Sequence, residues 1–176
     1  MLGTRLILLA MDDFPEANTD TQAEVVAVAN HQIPVMWLLA FTQVDIRCFP
    51  VGEGDDAIIK GHAGSEYPLL VAKRESLVAN LGIVFEQMES SLSEADRALF
   101  KEWSAFVEQQ TASVLALDTY ELWLTKPEEG ALLAELNQMF SLFETIATHS
   151  SEALEQMKKT GLWQSENRIA LAGYGW

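Results

Sequence analysis

One cysteine, Cys48 in "DIRCFP", is all the thiol chemistry this chain has. A single cysteine cannot close an internal disulfide, so nothing points to an oxidising compartment. No histidine stands near it in sequence to activate a nucleophilic thiol, and Cys48 reads as a small buried hydrophobe. Histidine is equally scarce. His31, His62 and His149 are widely separated, and none belongs to an HExxH or His-x-His pair, so the local ligand pairs of a zinc site are missing. His31 is expected near the end of a first helix, facing its negative pole. Long apolar runs are lacking as well. The longest, "IPVMWLLAF" at 33–41, falls well short of the ~20 residues that span a bilayer. The opening "MLGTRLILLAMDDFPEA" offers neither a basic leader nor a small-residue cleavage site. A soluble cytoplasmic protein without membrane contact is expected.

Positive charge is the largest deficit. Eleven basic residues face 26 acidic ones, for a net charge of −15. A field of that sign repels nucleic acid and anionic membranes and favours a basic partner. Phosphate-binding signatures are lacking too. "VGEGDD" has Gly-x-Gly but no third glycine and no Lys-Ser/Thr, and its acids are the wrong sign for a phosphate. Asp55 and Asp56 lack the twelve-residue spacing of a calcium loop. There is no Gly-x-Ser-x-Gly nucleophile turn. No cofactor and no metal is expected.

Apolar material is plentiful: 49% of 176 residues are hydrophobic, with five Trp and eight Phe. That suffices for one domain over 1–176 with a sizeable core. "TRLILLAM" (4–11) is short and continuously apolar, as in a strand buried on both faces. Thr19, Asp20 and Thr21 supply caps for a helix across "TQAEVVAVANHQ". Pro34 opens a second, deeply buried helix over "PVMWLLAFTQ". "DIRCFPV" (45–51) reads as a short extended segment at an edge, because Pro50 cannot donate to a ladder. Residues 52–66, glycine-rich and acidic, read as a flexible loop. "YPLLVA" follows as a strand. Helical stripes come next: Leu77, Leu81, Val84, Phe85 and Met88; then, after Ser93, Leu99, Phe100, Trp103, Phe106 and Val107. "SVLAL" (113–117) is a short strand. Pro127, Glu128 and Glu129 predict the start of a helix carrying Leu132, Leu136, Met139, Phe140, Phe143 and Ile146. A last helix starts near Ser150 or Ser151 and ends at Lys158 and Lys159 before Gly161. "NRIALAGYGW" closes the chain as a strand and tail. The fold class is α+β, mostly helical, with four or more helices packed on a small sheet.

One pair of carboxylates invites a chemical reading. Asp118 and Glu121, in "VLALDTYELW", would serve a hydrolase if they flanked a bond at ~5–10 Å. The same Asp-x-x-Glu spacing fits a helix start, with Asp118 as the cap and Glu121 reaching back. The cap is the preferred reading. A pocket for a small ligand, formed by helices and the "AGYGW" tail, is a further alternative.

Three strings, "GTRLILLAMD", "IPVMWLLAF" and "VLALDTYELW", carry a resemblance. The chain resembles small acidic bacterial cytosolic proteins, some of them encoded beside secreted toxins and similar to immunity proteins. The resemblance implies binding without turnover and brings no catalytic residue with it. Its partner would be a basic toxin domain. Glu53, Asp55 and Asp56 are then candidates to meet its Lys and Arg side chains. Trp163 and Trp176, outside the helical stripes, are candidate anchors, with burial in the core as the alternative for each.

Overall fold

The computed structural model describes residues 4–15, 22–51 and 65–160, and the backbone of Ala170–Leu171. Six strands form one sheet: β1 (Arg5–Met11), β2 (Ala23–Asn30), β3 (Ile46–Pro50), β4 (Glu66–Lys73), β5 (Val114–Asp118) and β6 (Ala170–Leu171). Their order is β3-β4-β5-β1-β2-β6, and every pairing is antiparallel. The helices are α1 (Val35–Leu38), α2 (Arg74–Met88), α3 (Glu94–Gln109), α4 (Tyr120–Trp123), α5 (Ala131–Phe143) and α6 (Ile146–Thr160). The expected α+β class holds.

The helices build one layer. Their buried residues, among them Leu77, Phe100, Trp103, Leu136 and Leu154, join Leu6, Leu8, Leu70, Leu115 and Leu117 of the sheet in one core. Trp37 stacks on Trp103 at 5.8 Å between centroids inside it. The other face of the sheet carries a smaller apolar cluster of strand residues: Met11, Leu69, Val71, Val114 and Ala116. β1 therefore alternates, with Leu6, Leu8 and Ala10 buried and Ile7 and Leu9 only half-buried, instead of being buried on both faces.

Residues 23–30 are a strand, not the expected helix. Val25, Val26 and Val28 are β-branched, which penalises a helix and suits a pleated surface. Pairing with β1 runs from Arg5↔Asn30 to Met11↔Ala23, with a bulge where Leu8 faces Ala27 and Leu9 faces Val25. Val26 is the extra residue, and the bulge lets Val26 and Ala27 both bury, which hides the period of two in the sequence. His31 consequently follows a strand and not a helix, and it turns the chain with φ of 68°. Its N–H donates to the Thr4 carbonyl at 2.7 Å.

The buried run from Val35 to Phe41 is helical only over Val35–Leu38. Asn80 Nδ2 reaches the carbonyls of Leu39, Ala40 and Phe41 at 3.0, 3.1 and 3.3 Å. These bonds let the backbone leave the helix while still buried. The predicted edge at 45–51 is β3. The Val51 N–H donates to Ser65 O at 2.8 Å, so alternation along the ladder turns Ile46, Cys48 and Pro50 outward. The Ile46 N–H goes to the Gln43 carbonyl and Pro50 has none, which leaves Cys48 as the strand's one outward donor. That blunts the edge against pairing with another chain. Cys48 itself is exposed, contrary to the buried reading.

α3 starts as expected. Ser93 Oγ accepts from the Asp96 N–H at 3.1 Å and donates to Asp96 Oδ2 at 2.8 Å. Asp96 is buried, and Lys158 of α6 stands 3.6 Å from it. α5 starts four residues later than Pro127 predicts, at Ala131, because 124–130 form turns that bring the Glu129 carbonyl to Trp123 Nε1 at 3.1 Å. The acidic loop expected at 52–66 lies outside the described residues, save for Ser65 and Glu66.

Candidate functional site

Two places gather chemistry, and α4 contributes residues to both. The first is the junction from β5 into α4. Asp118 Oδ1 accepts from the Tyr120 N–H at 2.9 Å, so the aspartate does hold the helix start. Glu121 does not reach back to complete the box. Its Oε2 accepts from the backbone N–H of Arg5 at 2.8 Å, and its Oε1 from Arg5 Nε at 2.7 Å and from Arg5 Nη2. A return bond would be local; the first residue of β1 offers a charge-assisted pair and a backbone donor together. Thr119, fully buried, donates its hydroxyl to the Pro68 carbonyl. β4 runs past the end of β5, and this hydroxyl takes the place of the missing ladder partner.

Aromatic rings wall the junction. Tyr67 lies 5.2 Å from Tyr120, edge-on, and 6.2 Å from Trp123. Burial pushes the Asp118 carboxyl upward; the Tyr120 N–H opposes that, and the charge of Glu121 adds to it. Burial also pushes Tyr67 up to about 12, with the charge of Asp118 and neighbouring Tyr120 contributing. The two carboxylates thus face a helix start and a strand end. The cavity described next does not include either of them.

The second place is that cavity, of about 440 Å³. Ile33, Leu38 and Leu122 belong to its apolar floor, and Leu132, Leu136, Met139 and Leu142 come from one stripe of α5. Its rim is polar: His31, Gln32, Lys126, Glu135, Gln138, Gln156 and Thr160. Lys126 forms an ion pair with Glu135. The Thr160 hydroxyl donates to the Gln156 carbonyl at 2.9 Å and touches Met139 Sδ at 3.4 Å. The volume lies in the range of small-molecule pockets. The "AGYGW" tail, which the ligand-pocket alternative combines with helices, lies outside the described residues. In the sequence the α5 stripe is indistinguishable from core. The floor is drawn from segments far apart along the chain, and only folding joins them.

Among the described residues no group of three or more His, Cys, Asp or Glu is placed to hold a metal ion, and no helix is long and apolar enough to cross a membrane. The sequence-derived partner candidates Glu53, Asp55, Asp56, Trp163 and Trp176 all lie outside the described residues. Described residues show exposed acid elsewhere. Asp12 and Asp13 stand at the end of β1 beside Phe14, which is 41% exposed. Glu75 and Glu86 on α2, Glu94, Glu102 and Glu108 on α3, and Glu152 and Glu155 on α6 also face solvent.

No family model matches the chain, and no characterised protein or solved structure matches it at a significant level.

Proposed function

We propose that this is a non-enzymatic binding protein of the cytoplasm that captures a basic protein partner, and that the partner is a secreted bacterial toxin which it neutralises. The observation that carries the reading is the excess of exposed carboxylate. The chain carries a net charge of −15, and exposed carboxylates stand on α2, α3 and α6 and at the end of β1. Such a surface speeds encounter with a cationic protein. Asp12, Asp13 and Phe14 combine two carboxylates with a partly exposed ring, the composition of an anchor that meets a basic partner. The acidic segment with Glu53, Asp55 and Asp56 adds to the same field.

The experiment is co-expression and pull-down with the product of the neighbouring gene. A stable complex is expected, with an association rate that falls steeply between about 0.01 and 1 M salt as screening shortens the field. Charge reversal at Asp12 and Asp13 should slow association further. A neighbour that is no toxin, together with no tight basic partner, overturns the reading.

The hydrolase alternative would need Asp118 and Glu121 turned toward a substrate. Their oxygens are instead bonded to the Tyr120 N–H and to Arg5, and that geometry favours the junction role.

A further inference from the structure

The cavity beside α5 has dimensions and chemistry that the binding of a basic protein does not use. Its wall runs along α5 from Leu132 to Leu142. Ten helical steps cover about 15 Å. The volume beside that stripe, about 440 Å³, is in the range that takes one small apolar guest. The side chains along it are Leu and Met, which adapt to a flexible apolar guest. A chain of roughly ten to twelve carbons, advancing about 1.25 Å per zigzag C–C bond, covers about 11–14 Å and fits within that length.

Charge at the rim narrows the class. Lys126 and Glu135, the charged pair of the rim, neutralise one another, so neither an anionic nor a cationic head finds an unpaired counter-charge there. The side-chain amides of Gln32, Gln138 and Gln156 line the cavity and make no hydrogen bond among the described residues. Each offers both a donor and an acceptor. His31, exposed at the rim, is held there by a backbone with φ of 68°, a conformation that costs a residue other than glycine and is often retained beside functional sites.

We propose that this cavity binds a single-chain amphiphile: an apolar chain of roughly ten to twelve carbons in the α5 slot, with an uncharged hydrogen-bonding head on the glutamine rim. The site is independent of a toxin partner, and each can fail without the other.

The probe is 1-monodecanoylglycerol, kept below its micellar concentration and titrated into the full chain by calorimetry. Saturable one-to-one binding is expected, with decanoate at least about tenfold weaker. Met139→Trp places a ring in the slot from a half-buried position and should weaken binding about tenfold or more. If far-UV circular dichroism shows that this variant does not fold, Leu142→Trp on the same wall replaces it. Ile83→Trp, on an exposed part of α2, should bind like the parent. The proposal is overturned by absence of saturable binding, by equal binding of decanoate, or by folded slot variants that bind unchanged. Association with phosphatidylcholine vesicles without binding of the free monoglyceride also overturns it, in favour of a membrane surface.

Discussion

Glu121 holds Arg5 by three bonds across 116 residues of sequence. One goes to the backbone N–H at the start of β1, and two go to the guanidinium. The carboxylate therefore ties the first residue of the sheet's central hairpin to the helix that follows β5. Both side chains keep part of their surface in water, 40% for Arg5 and 29% for Glu121.

Replacing Glu121 by Ala should destabilise the fold by about 1–2 kcal/mol, since a charge-assisted pair is lost but solvent screens part of it. Glu121→Gln, which still accepts from the Arg5 N–H, should lose less. Urea denaturation of both variants and of Arg5→Ala checks this. Additive effects of Arg5→Ala and Glu121→Ala would show that the pair is not coupled.

Asp118 predicts a pH dependence. Burial raises its carboxyl above the unfolded value, so the folded state favours the protonated form. The stability this contributes is fully present below the unfolded pKa and is lost as pH rises through the folded one. Asp118→Asn keeps an oxygen for the Tyr120 N–H and carries no charge to bury. It should match the parent in acid and exceed it in stability at neutral pH. The same change removes an anion beside Tyr67 and should move that phenol down from about 12, read by ultraviolet titration. If Asp118→Asn is less stable at neutral pH than in acid, relative to the parent, the assignment is contradicted.

Thr119 is buried with its hydroxyl on the Pro68 carbonyl. Thr119→Val keeps the shape and strips the donor, leaving a buried acceptor unsatisfied at a cost of about 1–3 kcal/mol. Thr119→Ser retains the bond and should cost less than Val. Thermal melts of the two variants decide between a hydrogen-bonding role and simple space filling.

His31 turns the chain out of β2 with φ of 68°. Glycine at this position removes a steric penalty but adds freedom to the unfolded chain, for a net gain of about 0.5–1 kcal/mol. His31→Ala keeps the penalty and should gain nothing. A glycine variant no more stable than the alanine one would mean that the turn is unstrained.

Much of the helical layer was legible in the residues. The stripes Leu77–Leu81–Val84–Met88 and Phe100–Trp103–Val107 are buried as their spacing predicts, because a helix records its buried face locally, every three or four positions. The strand at Val114–Asp118 and the edge at Ile46–Pro50 were legible for similar reasons: a short apolar run and a proline without a donor. β2 was not. Its bulge buries Val26 and Ala27 together and erases the alternation that marks a strand. Of the pair of carboxylates in "VLALDTYELW", half was readable. Asp118 serves its own helix two residues on, whereas the partner of Glu121 stands at the other end of the chain.

The sequence by itself determined the charge, the amount of core, the helices with a regular apolar face and the points where caps and prolines end them. All of these follow from neighbours within a few residues. Tertiary structure alone decided that 23–30 pairs as a strand, that Glu121 answers Arg5, that Thr119 completes the β4 ladder, and that Ile33, Leu122 and the α5 stripe enclose a cavity. Each of those depends on which distant backbone or side chain arrives alongside, and local spacing holds no record of that.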